Sequence, residues 1–154
     1  MAVDPGITNN FLDSCAFDPK YAPVDKASVE LIELYKKDNL PLQIAHSTQK
    51  EIDHPNTPAC VKAEAQVLIY TIPVQLTPNE VSLLRKIETI LAGNGKVENI
   101  IQDARHVFEA QKSGTYFITT DARILVRAKP LRKICEVLIV KPSEFLALVM
   151  AHRD

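Results

Sequence analysis

An apolar run that ends in a carboxylate, Asn9-Asn10-Phe11-Leu12-Asp13-Ser14-Cys15, is followed within forty-odd residues by a helical pattern and then by a second apolar run. Residues 7–12 read as a first strand. Val24, Ala27, Ser28, Leu31, Ile32 and Tyr35 recur at helical spacing through about Lys37. Leu40, Leu42 and Ile44 alternate with smaller or polar groups, so 40–45 reads as a second strand with Pro41 near its start. Strand, helix and strand in that order require a parallel sheet joined by right-handed crossovers.

The remaining pattern extends that sheet. Thr77-Pro78-Asn79-Glu80 marks a helix start, with a capping threonine, proline at the first helical position and glutamate at the third. Val81, Leu84, Ile87 and Leu91 follow on one face, and Gly93-Asn94-Gly95 ends the helix. A helix from Asn99 carries Ile101, Ala104, Val107 and Phe108 and stops at Ser113-Gly114. Tyr116, Phe117 and Ile118 form a strand, residues 122–128 a short helix closed before Pro130, and 137–140 the last strand. Pro142 opens a terminal helix whose Phe145, Leu148 and Val149 face inward. Between the second strand and Thr77, Thr48 and Glu51 have capping-box spacing, His54-Pro55-Asn56-Thr57-Pro58 interrupts that helix, 59–70 resumes it although 67–72 is rich in strand formers, and 71–76 is extended. The expected architecture is a single domain over residues 1–154, a three-layer α/β/α sandwich around four or five parallel strands.

Composition narrows the function classes. The chain has 154 residues, 46% of them hydrophobic and 24% charged, which suits a folded domain with a sizeable core. No apolar run approaches the roughly 20 residues that span a bilayer, so no membrane partner is expected and the cytoplasm is the expected location. Cys15, Cys60 and Cys135 lack the paired spacing of a zinc module and are expected as packed thiols. Eighteen Lys and Arg against nineteen Asp and Glu argue against a protein that coats nucleic acid through phosphate attraction alone.

Four acids stand at strand ends or helix starts: Asp13, Glu51, Asp103 and Asp121. In a doubly wound sheet the carboxyl ends of the strands open on the ligand crevice. Each acid also has a plainer account. Asp13 can cap a loop, Glu51 can complete a capping box with Thr48, Asp103 can pair with an arginine from elsewhere in the chain, and Asp121 can be an N-cap. Taken together, several carboxylates facing one crevice repel one another unless a cation joins them. Carboxylate oxygens are hard ligands suited to Mg²⁺ or Mn²⁺, and such ions activate water and offset charge on a phosphodiester under attack. His46, His54 and His106 with Cys60 offer no close pair of zinc ligands, and His106 is expected at the surface or half-buried. Lys50, Arg105, Lys112, Arg123 and Arg127 are candidates for RNA contacts.

The stretch from Asn10 to Phe17 resembles the opening strand of PIN-domain proteins, the fold of VapC-type toxins and other small ribonucleases. Glu51 and Asp103 match that family's second and third acids, and Phe117-Ile118-Thr119-Thr120-Asp121 looks like its threonine-x-aspartate segment. The run from Ile139 to Leu146 is similar to its closing strand and proline-started helix. The resemblance covers nearly the whole chain. It implies an endoribonuclease dependent on Mg²⁺ or Mn²⁺, commonly a homodimer, with Asp13, Glu51, Asp103 and Asp121 as catalytic metal ligands and Ser14 and Thr119 in support. An RNA substrate and an antitoxin protein are the implied partners. Cys15 stands where the family often has serine or threonine, and residues 55–78 are longer and richer in proline than in compact toxins. The alternative is a non-catalytic module that keeps the fold and binds RNA or protein.

Overall fold

The computed structural model describes residues 4–13, 27–38, 40–44 and 75–153. Four short strands form one parallel sheet: β1 (Asn10–Leu12), β2 (Leu42–Gln43), β3 (Tyr116–Ile118) and β4 (Leu138–Val140), in the order β2-β1-β3-β4. The helices are α1 (Ala27–Asp38), α2 (Pro78–Ala92), α3 (Ile101–Ser113), α4 (Ala122–Leu125), α5 (Ala128–Cys135) and α6 (Pro142–Arg153). They flank the sheet on both sides, giving the α/β/α sandwich.

Register assigns each strand residue to a side. Phe11 is level with Phe117, and Phe117 with Ile139. All three point into a core built with Leu84, Ile87 and Leu91 of α2, Ala104, Val107 and Phe108 of α3, Ile124 of α4 and Leu131 of α5. The alternate positions Leu12, Leu42, Tyr116 and Ile118 face the other way, onto Leu31 of α1 and Phe145 and Val149 of α6. Tyr116 meets Phe145 edge-on, ring centres 5.2 Å apart. From the central pair the chain runs outward in opposite directions, through α1 to β2 and through α4 and α5 to β4. Right-handed crossovers then require helices on opposite faces, as found.

Local chemistry explains the element ends. Thr77 and Glu80 form the reciprocal capping box of α2. Glu80 also bonds Lys112 of α3 at 2.6 Å, and that bond, with the cap, holds its carboxyl below the usual range. Lys112 is thus tied to a helix pair. Gly93 closes α2 with φ +54°, a backbone region that favours glycine. At Gly114 the need is space, since a Cβ there would stand 2.5 Å from the Asn9 carbonyl oxygen. Half-buried Cys135 donates its thiol to the Leu131 carbonyl at 3.1 Å, and burial pushes its pKa up.

Three boundaries depart from expectation. Residue 7 does not start β1; Pro5–Ile7 is a 3-10 turn capped by Asp4, with Ile7 79% exposed. The helix expected from Asn99 begins at Ile101, after a 3-10 turn over Val97–Asn99. Pro130 does not end a helix but lies in the first turn of α5, where a backbone N–H has no intrahelical acceptor to lose. The readings at 14–26, 45–74 and position 39, including the capping box of Glu51, lie outside the described residues. No helix among the described residues is long and apolar enough to cross a membrane.

A buried asparagine locks the amino-terminal end of the sheet. Asn10 is fully buried and its side-chain nitrogen reaches the carbonyls of Pro5, Thr8 and Pro41 at 2.9, 3.1 and 2.7 Å, while its oxygen accepts from Thr8 Oγ1 at 2.8 Å. One side chain therefore joins the 3-10 turn, β1 and the approach to β2. Asn10→Ala is expected to lower unfolding stability by about 2–4 kcal/mol, because buried carbonyls lose their donor. Urea denaturation reads this directly, and a loss below about 0.5 kcal/mol, within the range of an ordinary surface substitution, would show that the carbonyls find other donors.

Candidate functional site

The site lies where the strand order reverses. β1 continues to β2 on one side and neighbours β3 on the other, so the carboxyl ends of β1 and β3 flank the topological switch point. Asp13 is the first residue beyond β1, and its N–H donates to the Ile118 carbonyl at 2.9 Å. Thr119 is the first beyond β3, and its N–H donates to the Val140 carbonyl at 3.0 Å. The ladder thus extends one residue past each strand and holds both side chains at the crevice.

Those side chains bond each other. Thr119, fully buried, donates its hydroxyl to Asp13 Oδ2 at 2.8 Å, and the same hydroxyl oxygen accepts the Asp121 N–H at 3.0 Å. Donation and acceptance by one hydroxyl polarise it, strengthening both bonds. Asp121 is the N-cap of α4, accepting the Arg123 N–H at 2.9 Å on Oδ1. The capping account of Asp121 is therefore correct. It leaves the second carboxylate oxygen facing the Arg123 guanidinium at 3.1 Å.

Helix α3 brings two more groups. Asp103, in its first turn, lies 3.5 Å from Arg123 Nη2. An arginine from elsewhere thus does pair with Asp103, across twenty residues of sequence. One turn on, His106 is fully buried, with Nδ1 3.5 Å from Asp13 Oδ1 and Nε2 3.2 Å from the Gln102 amide nitrogen. Both ring nitrogens thus face polar groups, one towards Asp13 and the other towards Gln102. The expectation of a surface or half-buried histidine was wrong: α3 packs the His106 face against the sheet. A signal was present in the sequence, since positions 103 and 106 share a helical face.

The electrostatics bear out the repulsion of the acids. Asp103 has its pKa pushed up to about 6, first by burial and then by the negative charges of Asp13 and Asp121, with His106 and Arg123 opposing. Asp103 is therefore close enough to feel both Asp13 and Asp121. Thr119, expected only in support, links two of them. Ser14 and Glu51 lie outside the described residues, as do His46, His54 and Cys60. Of the basic candidates, Arg123 reaches the acids, whereas the Arg127 guanidinium lies over Gly93 in the turn after α2.

The donor set suits a hard divalent cation: carboxylate oxygens from three parts of the chain, one with its pKa raised by burial and by the other two. Among the described residues, no three acidic, histidine or cysteine side chains converge as placed on a single ion position. Two of the acids are turned to Arg123 and the third to Thr119 and His106. A carboxylate oxygen that accepts one hydrogen bond keeps a second lone pair for a ligand. No protein-family model matches the chain, and no curated protein matches it.

Stability should depend on pH through Asp103. Its pKa is raised from 3.8 to about 6 on folding, so between these values the folded state holds more protons than the unfolded one. The associated stability is present below about pH 4 and is lost as pH rises through 6. Asp103→Asn in EDTA should thus stabilise the protein more at pH 8 than at pH 4, by on the order of 1–2 kcal/mol after solvent screening. Unfolding curves at the two pH values test this; an equal effect at both would mean that folding does not raise the Asp103 pKa.

Proposed function

We propose that this chain is a metal-dependent endoribonuclease of the PIN type. The observation that carries the reading is the gathering of Asp13, Asp103 and Asp121 at the switch point, where Thr119 links Asp13 to Asp121 and one Arg123 nitrogen faces both Asp103 and Asp121. Such a cluster is suited to a divalent cation, Mg²⁺ or Mn²⁺, with Glu51 and Ser14 as further oxygen donors from the connections after β1 and β2. The ion would supply activation of water and would offset charge on the phosphodiester. The chain's own groups orient the ligands: Thr119 fixes Asp13 Oδ2 and the Asp121 backbone, and His106 faces the other Asp13 oxygen.

An RNA substrate follows from the family resemblance together with this acid set. The toxin role with its antitoxin protein, and the homodimer, rest on the family resemblance. For the homodimer, apolar surface gives some support: Val97 and Ile101, four residues apart, are 41% and 50% exposed. Light scattering is expected to report a dimer, and a concentration-independent monomer mass would exclude it.

A second reading has its own support. Arg123 already answers two of the acids with a protein cation, as a non-catalytic RNA- or protein-binding module would require. One experiment separates the two. Cleavage of a single-stranded RNA panel by the parent should require Mg²⁺ or Mn²⁺ and stop in EDTA. Asp13→Asn and Asp103→Ala should remove nearly all of it, and Asp121→Ala should leave activity that added Mn²⁺ partly restores. Parental cleavage by Asp13→Asn, or activity indifferent to EDTA, would overturn the nuclease reading.

A further inference from the structure

Arg123 reaches the acids from solvent. Its side chain is 67% exposed, whereas those of Asp103 and Asp121 are 18% and 21% exposed. It sits two residues after the N-cap Asp121 and folds back, placing Nε 3.3 Å from Asp121 Oδ1 and Nη2 3.1 Å from Oδ2. The same Nη2 lies 3.5 Å from Asp103 Oδ2. The guanidinium thus joins an acid at the start of α3 to one at the start of α4.

Two features make this a replaceable contact. Pairs of an exposed, flexible side chain at distances above 3 Å are screened and weak. A divalent ion brings twice the charge to the same oxygens and loses no side-chain entropy. Arg123 cannot leave the neighbourhood when displaced, because its backbone N–H is bound to Asp121 Oδ1 at 2.9 Å. A guanidinium held there has the planar fork that matches phosphate oxygens in pairs. Arg127, four residues on, does not share this role, since it lies over Gly93.

We infer that Arg123 is the internal counter-ion of the site, occupying Asp103 and Asp121 until a divalent cation displaces it and then pairing with a phosphate of the RNA. This rests on the metal-dependent reading above. It adds an exchange of partners: the residue that opposes metal entry is the one that holds the substrate.

The test uses the full chain stripped with EDTA. Mn²⁺ is titrated in and the free aqua ion followed by electron paramagnetic resonance. Arg123→Ala is expected to bind Mn²⁺ roughly 3- to 10-fold more tightly than the parent, the size of effect that one nearby partly exposed charge exerts. Arg123→Lys, which keeps the charge, should stay near the parent. In saturating Ca²⁺, Arg123→Ala should bind a short single-stranded RNA roughly tenfold more weakly, as for loss of one charge-assisted pair. Lys129→Ala, the same charge change at an exposed position of α5, should alter neither affinity. Parental Mn²⁺ affinity in Arg123→Ala overturns the exchange alone, provided that Asp13→Asn loses Mn²⁺. Tighter Mn²⁺ with unchanged RNA affinity also overturns it. Failure of the parent itself to bind Mn²⁺ overturns the metal reading and the exchange together.

Discussion

The parallel pairing of β1 with β3 is the interaction on which the rest depends. Asn10, Phe11 and Leu12 stand level with Tyr116, Phe117 and Ile118, although more than a hundred residues separate the partners. A slip of β1 by one residue would turn Phe11 out of one core and Leu12 out of the other. Both cores therefore specify the same register. That register also makes residue 13 the neighbour of residue 119, so the Asp13–Thr119 bond follows from apolar packing on both faces. The site inherits its precision from the core.

What could be read from the sequence was what short-range chemistry decides. The capping box at Thr77 and Glu80, the glycine stop at Gly93, the strand over Tyr116–Ile118 and the proline start of α6 each depend on a few adjacent residues. Ile7 misled because an apolar residue beside a strand looks like part of it, while Pro5-Gly6 favours a tight turn. Pro130 misled because its meaning depends on helix position, and α5 begins only two residues earlier. At the site, the position of Asp13 was legible from the apolar run that it ends. The pairing of Arg123 with Asp103 and the burial of His106 were not, since each is set by how α3 and α4 dock on the sheet.

The two ends of the sheet solve the same problem with opposite outcomes. At the amino-terminal end Asn10 is a neutral amide whose nitrogen meets backbone carbonyls and whose oxygen accepts from the Thr8 hydroxyl. At the carboxyl end Asp13 is a buried carboxylate with Thr119 on one oxygen and His106 near the other, while Asp103 and Asp121 add charge at the rim. A polar group satisfied by backbone needs nothing further. A group of carboxylates needs cations, and one guanidinium can offset one of the charges.

Capping and pairing alone do not account for that imbalance. Had Asp121 served only as a cap, any short polar side chain at its position would serve about as well, without setting a negative charge against Asp103. Had Asp103 been placed only to pair with Arg123, a closer pair with less burial would suffice. Instead Asp103 stands in a partly buried position where Asp13 and Asp121 both oppose its ionisation and the guanidinium answers at 3.5 Å. Burial and the like charges act against the ionised form, and the guanidinium offsets them only in part. A divalent cation would offset the like-charge repulsion, because the carboxylates that repel each other would then share a positive charge.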